Sequence, residues 1–104
     1  MDEVLRERIV GLTKSSRIVL FMKGNKMFPQ CGFSAKVVGI LKETGATFDA
    51  HNILSDPDLR TGLKELSNWP TFPQLYVDGE LVGGCDIVIQ LHDSGELTKI
   101  VAPN

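Results

Sequence analysis

Of the chain's two thiols, Cys31 and Cys85, the first stands where a thiol can react. Residues 23–34 read Lys-Gly-Asn-Lys-Met-Phe-Pro-Gln-Cys-Gly-Phe-Ser, after an apolar run (18–22) and before a helical pattern (35–41). This places Cys31 at the positive end of a helix. Unpaired amide N–H groups and the macrodipole there favour thiolate over thiol, and Lys23 adds positive charge. Thiolate is the form that attacks disulfides and ligates metals. A Cys-x-x-Cys pair would supply a second thiol three positions on, but this chain has Ser34 there, so Cys31 must find its partner elsewhere. A lone cysteine is more often an inert core residue. The glycine-containing helix start, with Lys and Pro nearby, argues for reactivity.

The elements that must position this thiol follow from the apolar pattern. Val4, Leu5, Ile9 and Leu12 recur at helical spacing across residues 2–13, giving a packing helix. Residues 17–22 are the continuous run of a central strand buried on both faces. The helix after Cys31 runs to about Thr44 and stops at Gly45, a left-handed cap. Residues 47–53 alternate weakly, as a strand near an edge does, so the first two strands form a parallel βαβ unit. Ser55-Asp56-Pro57-Asp58 starts a helix by one of two routes. Either Asp56 caps with Pro57 in the first turn, or Ser55 and Asp58 form a capping box. That helix turns Leu59, Leu63 and Leu66 inward, while Arg60 and Lys64 read as a solvated charged face.

Pro70 and Pro73 break the pattern. Residues 74–77 are then a strand, Asp78-Gly79 a hairpin turn and residues 80–82 the return strand. A helix opens at Cys85-Asp86 and runs through Leu91, and a short one covers residues 96–100. The result is an α/β domain, a four-stranded mixed sheet flanked by helices, whose natural ligand site is at the carboxyl ends of its strands.

Composition narrows the function classes. Net charge is −2, with both signs interspersed, so no basic field exists for nucleic acid. No apolar run approaches the ~20 residues that span a bilayer, and the N-terminus lacks signal-peptide regions. Neither a nucleic-acid nor a membrane role is expected. Two cysteines make no disulfide framework, which points to a reducing compartment. The expected location is cytoplasmic, or mitochondrial or plastid where a targeting segment has been removed. One domain is expected over residues 1–104, with excision from a longer multidomain protein as the alternative.

Four segments carry a resemblance that covers nearly the whole chain. They are Phe21-Met22-Lys23-Gly24, Cys31-Gly32-Phe33-Ser34, residues 67–76 around Trp69-Pro70-Thr71-Phe72-Pro73, and Gly83-Gly84-Cys85-Asp86. In this order they resemble the monothiol, CGFS-type glutaredoxins of the thioredoxin-like fold. The resemblance implies glutathione as ligand. Lys23 and Arg60 would meet its glycine carboxylate, and Phe72, before a cis Pro73, would offer its backbone to the cysteine portion. The amides around Gly84, Cys85 and Asp86 would hold the γ-glutamyl carboxylate, with the Asp86 side chain on the α-amino group.

The resemblance further implies Cys31 as nucleophile and metal ligand, with a [2Fe–2S] cluster shared between two subunits, each contributing one bound glutathione. A homodimer bridged by the cluster, BolA-like partners, iron–sulfur acceptor proteins and a role in iron homeostasis come with it. The alternative function is a glutathione-dependent thiol–disulfide oxidoreductase, at most a weak enzyme, disfavoured by the long loop of residues 24–30. Trp69 reads as a core plug, Cys85 as a small spacer that could also pair reversibly with Cys31, and His51 and His92 as surface or part-buried residues with no metal role.

Overall fold

A strand that is apolar at every position needs a packed layer on each side, and this requirement organises the molecule. All five side chains of β1 (Ile18–Met22) are buried. Ile18, Leu20 and Met22 join a cluster with Val37, Leu41, Val88 and Leu97, while Val19 and Phe21 join Ile9, Leu59 and Leu63. The structure is a computed structural model and describes residues 1–103; Asn104, the end of the expected domain, lies outside the described residues.

The elements run α1 (Glu3–Thr13), β1, α2 (Gly32–Thr44), β2 (Asp49–Asn52), α3 (Pro57–Ser67), β3 (Gln74–Val77), β4 (Glu80–Gly83), α4 (Cys85–Asp93) and α5 (Glu96–Val101). The sheet order is β2-β1-β3-β4. β1 pairs parallel with β2, Val19 opposite Asp49, and antiparallel with β3, Ile18 opposite Val77. β3 and β4 form the antiparallel hairpin, with a register shift between Leu75 and Tyr76. Helices α1 and α3 supply the Ile9 and Leu63 layer; α2, α4 and α5 supply the other.

One boundary differs from expectation, and at another the structure selects one of the two expected alternatives, each for local reasons. β2 is shorter than residues 47–53: it ends on Asn52, which pairs with Met22 and accepts at its Oδ1 from Gly24 N–H at 3.0 Å and from Leu54 N–H at 2.9 Å. The second bond caps a 3-10 turn over Ile53–Ser55. At the start of α3, Asp56 is the cap, accepting from Leu59 N–H at 3.1 Å, with Pro57 in the first turn. Ser55 takes no part in a capping box; its hydroxyl donates to Asn52 O at 3.1 Å. The Asp56 carboxylate also accepts both guanidinium arms of Arg8 from α1, at 3.0 and 3.2 Å, so the cap ties two helices together.

Candidate functional site

Cys31 is the N-cap of α2, in extended conformation (φ −151°, ψ 138°), and its side chain makes no capping hydrogen bond. The half-exposed sulfur faces the first-turn amides of Phe33 and Ser34. The amide of Ser34 does most to hold the Cys31 thiol below its ordinary pKa. Partial burial opposes this, and the Phe33 amide, the Lys23 charge and the Ser34 hydroxyl add to the lowering. The thiolate of a helix start is thus stabilised mainly by specific first-turn N–H groups.

The loop before it is tightly held. Gly24 has φ 91°, and a Cβ there would run into the backbone of Phe28 and Gln30. Gly24 and Pro29 form a bridge, Gln30 N–H donates to Lys23 O at 2.8 Å, and Asn25 Oδ1 accepts from the Met27 and Phe28 amides. Lys23 is thereby fixed at the mouth of β1, beside the first turn of α2.

A groove of about 670 Å³ lies at the carboxyl ends of β1 and β4 and the amino end of β3. Lys23 lines it from just past the end of β1, Phe33 from α2, Arg60 and Lys64 from α3, and Gly84, Cys85 and Asp86 from the start of α4. The segment Trp69 to Phe72 forms one wall. Of the residues expected at the site, Lys23, Arg60, Phe72, Gly84, Cys85 and Asp86 are brought together here. Cys31 and Pro73 stand beside the groove and do not line it. The Phe72–Pro73 peptide bond is cis.

Three residues have a different part from the one expected. Trp69 is no core plug. Asn68 ends α3 in the left-handed region (φ 52°), and the half-buried indole turns across to Gly84, where a Cβ would lie 3.2 Å from its Nε1. That contact also explains Gly84, since the same Cβ would be 3.3 Å from Pro73 O. Lys64 is part of the groove beside Arg60, as its four-residue spacing from Arg60 allowed. Ser34 was noted only as an absent thiol, yet it is fully buried and its Oγ accepts Lys23 N–H at 3.1 Å.

Cys85 opens α4 half-buried, and both cysteines are free thiols. Burial first, then the charge of Asp86, pushes the Cys85 thiol above its ordinary pKa, with Cys31 acting the same way and Lys36 against it. Near neutrality Cys31 is therefore the better nucleophile of the two. His51 stacks on Phe21 with ring centroids 5.3 Å apart, and His92 pairs with Glu43 at 3.4 Å; neither lines the groove.

A four-stranded mixed sheet with a cysteine at the helix start after β1 and a cis-proline segment beside it defines the thioredoxin-like class. Among solved structures, reduced poplar apo GrxS14 matches with TM-score 0.79 and 56% identity, over 91% of this chain and 87% of its own. A buckwheat glutaredoxin–glutathione complex, 22% identical over 97% of this chain and 94% of its own, shares the fold with TM-score 0.80. Residues 18–82 match the family model described as Glutaredoxin. The chain belongs to the glutaredoxin family, and its Cys31-Gly32-Phe33-Ser34 motif places it with the monothiol members.

Curated relatives agree. Monothiol glutaredoxin-S11 of Oryza sativa is 54% identical over 99 residues, covering 95% of this chain and 20% of the relative. Probable monothiol glutaredoxin 2 of Rickettsia typhi is 57% identical over 93 residues, covering 89% of this chain and 84% of the relative. The chain therefore spans nearly the whole length of the bacterial relative but only a fifth of the plant one.

Proposed function

We propose that this domain binds glutathione in the groove and, as a homodimer, holds and passes on a [2Fe–2S] cluster in iron–sulfur trafficking and iron homeostasis. In this reading BolA-like proteins and iron–sulfur acceptor proteins are its partners. The observation that carries it is the pairing of a half-exposed thiol of lowered pKa, Cys31, with a groove of opposite polarity at its two ends. Lys23, Arg60 and Lys64 offer cations; the start of α4 offers amide N–H groups beside the Asp86 carboxylate.

That polarity suits glutathione, which has a carboxylate at one end and an amino-acid head at the other. The glycine carboxylate pairs with Lys23 and Arg60, by charge-assisted hydrogen bonds. The cysteine portion runs along the backbone of Phe72, whose N–H and C=O join no hydrogen bond among the described residues. The γ-glutamyl carboxylate sits at the amides of Cys85 and Asp86, and its ammonium on the Asp86 carboxylate.

The donor set also fits a shared cargo. A [2Fe–2S] cluster takes four thiolates. No group of three or more His, Cys, Asp or Glu among the described residues is placed to hold a metal within one chain. Two Cys31 thiolates and two glutathione thiolates complete the set, and exchangeable glutathione ligands make the cluster transferable.

The second reading, a thiol–disulfide oxidoreductase, draws on the same lowered thiol. Cys31 attacks the glutathione sulfur of a mixed disulfide and the protein thiolate leaves. A second glutathione thiolate then attacks the Cys31–glutathione disulfide, releasing oxidised glutathione and restoring Cys31. Anaerobic reconstitution with iron, sulfide and glutathione, followed by visible absorption and size-exclusion chromatography, separates the two. A coloured dimer that needs glutathione is the expected result. A colourless monomer that reduces a glutathione mixed disulfide would put the oxidoreductase first.

A further inference from the structure

The groove wall between α3 and β3 has no backbone ladder to hold it. Residues 69–73 make no backbone–backbone hydrogen bond among the described residues. Side chains from the two elements that flank the wall take that part. From the end of α3, Ser67 Oγ accepts Trp69 N–H at 3.2 Å. From the start of β3, Gln74 Nε2 donates to Trp69 O at 3.2 Å and to Thr71 O at 3.3 Å.

Gln74 is fully buried, opposite Phe21 of the central strand, and it does not line the groove. A buried amide is costly unless its polar atoms are partnered. Here they all are. Tyr76, two residues on and so on the same face of β3, donates its hydroxyl to Gln74 Oε1 at 3.1 Å. With the oxygen engaged there, the nitrogen faces the two wall carbonyls, and a group with two N–H bonds is what serves both. Tyr76 is braced in turn against the Phe21 ring, edge on, with centroids 5.4 Å apart. The wall is thereby anchored on the central strand.

Phe72 belongs to that wall, and what comes next rests on the glutathione reading above, in which its N–H and C=O receive the cysteine portion of the ligand. Pairing with an added strand needs both groups at a set spacing and direction. A wall that had to be ordered on binding would lower the apparent affinity by the fraction of time it spends in the right form. We propose that Gln74 is a positioning residue for glutathione. Without touching the ligand, it holds the Trp69 and Thr71 carbonyls and so keeps the Phe72 backbone in its binding conformation, while Tyr76 sets the orientation of the amide.

The test compares wild type, Gln74→Met, which keeps an unbranched chain but loses the donors, and the control Val101→Ala. Val101 is buried on α5, in the other core layer from Tyr76. Glutathione affinity is read by calorimetry on cluster-free protein, stability by urea, and wall order by acrylamide quenching of Trp69, the chain's single tryptophan. Gln74→Met is expected to bind glutathione about tenfold more weakly, as when the right wall is populated about one time in ten. Its Trp69 should quench faster until glutathione fills the groove. Val101→Ala should lose stability and keep wild-type affinity and quenching. Tyr76→Phe, which keeps the ring and removes the bond to Oε1, should fall between, and it decides the matter where Gln74→Met does not fold. Wild-type affinity in the deciding variant overturns the positioning role. So does a loss of affinity that Val101→Ala shares at equal loss of stability. A wild type that binds no glutathione overturns the glutathione reading and this role with it.

Discussion

Ser34 Oγ accepts the backbone N–H of Lys23 at 3.1 Å, joining the end of β1 to the first turn of α2. Other hydroxyls within helices turn back on their own backbone, as Ser67 does to Leu63 O and Thr44 to Leu41 O, each at 2.6 Å. Ser34 makes no such bond among the described residues, and its amide and hydroxyl serve the Cys31 sulfur. The residue in the place of a second thiol thus links a groove cation to the reactive cysteine. A sulfur there would be a weaker acceptor.

Ser34→Ala should leave the Lys23 amide without its partner and destabilise the fold by about 1 kcal/mol. Urea denaturation measures the loss, and hydrogen exchange should quicken at the Lys23 amide before it does elsewhere in β1. Unchanged exchange at Lys23 would mean that the bond contributes nothing to holding it.

Cys31→Ser should abolish cluster uptake and thiol exchange together while leaving the fold intact, because a hydroxyl is neither a soft ligand nor a thiolate. Cluster absorption and circular dichroism are the two measurements. A serine variant that still held a glutathione-dependent cluster would remove Cys31 as the protein ligand.

Arg60→Ala should weaken glutathione binding by at most about 1.5–3 kcal/mol, the worth of one charged hydrogen bond. The lower figure is expected, because Arg60 is exposed and Lys64 stands one turn on. Calorimetric titration at low and high salt checks this; identical affinity in the variant would exclude Arg60 from the site.

Stability should fall with acid through His51. Burial pushes this half-buried imidazole below its ordinary pKa, only partly opposed by Asp49. The unfolded chain takes up the proton near pH 6.5 and the folded one only at lower pH. Between those values the unfolded state binds more protons, so stability rises with pH. The contribution is complete above about pH 6.5 and is lost as pH falls through the window beneath it. His51→Phe, which keeps a ring against Phe21, should flatten urea-determined stability between about pH 7.5 and 5.5. An equal slope in variant and wild type would assign the acid loss to other groups.

Features whose cause is local could be read from the sequence by itself. The five buried positions of β1, the left-handed Gly45 after α2 (φ 79°) and the Asp78-Gly79 turn (φ 53° and 78°) follow from side-chain patterning and backbone freedom. So does Cys31 at a helix start, and with it the reactive thiol. Resemblance of motifs then pointed to Lys23, Arg60, Phe72, Gly84 and Asp86, which the groove does bring together. Tertiary structure decided the rest. Asp56 prevailed over the capping box at α3 with Arg8 reaching it from α1. Trp69 became a groove wall because Gly84, from a different element, leaves room for the indole. Lys64 and Ser34 acquired their parts by facing Lys23 and its surroundings across the fold. A dihedral preference or a burial period is encoded among near neighbours along the chain; a groove is made by segments that meet only once the sheet and both helix layers have packed.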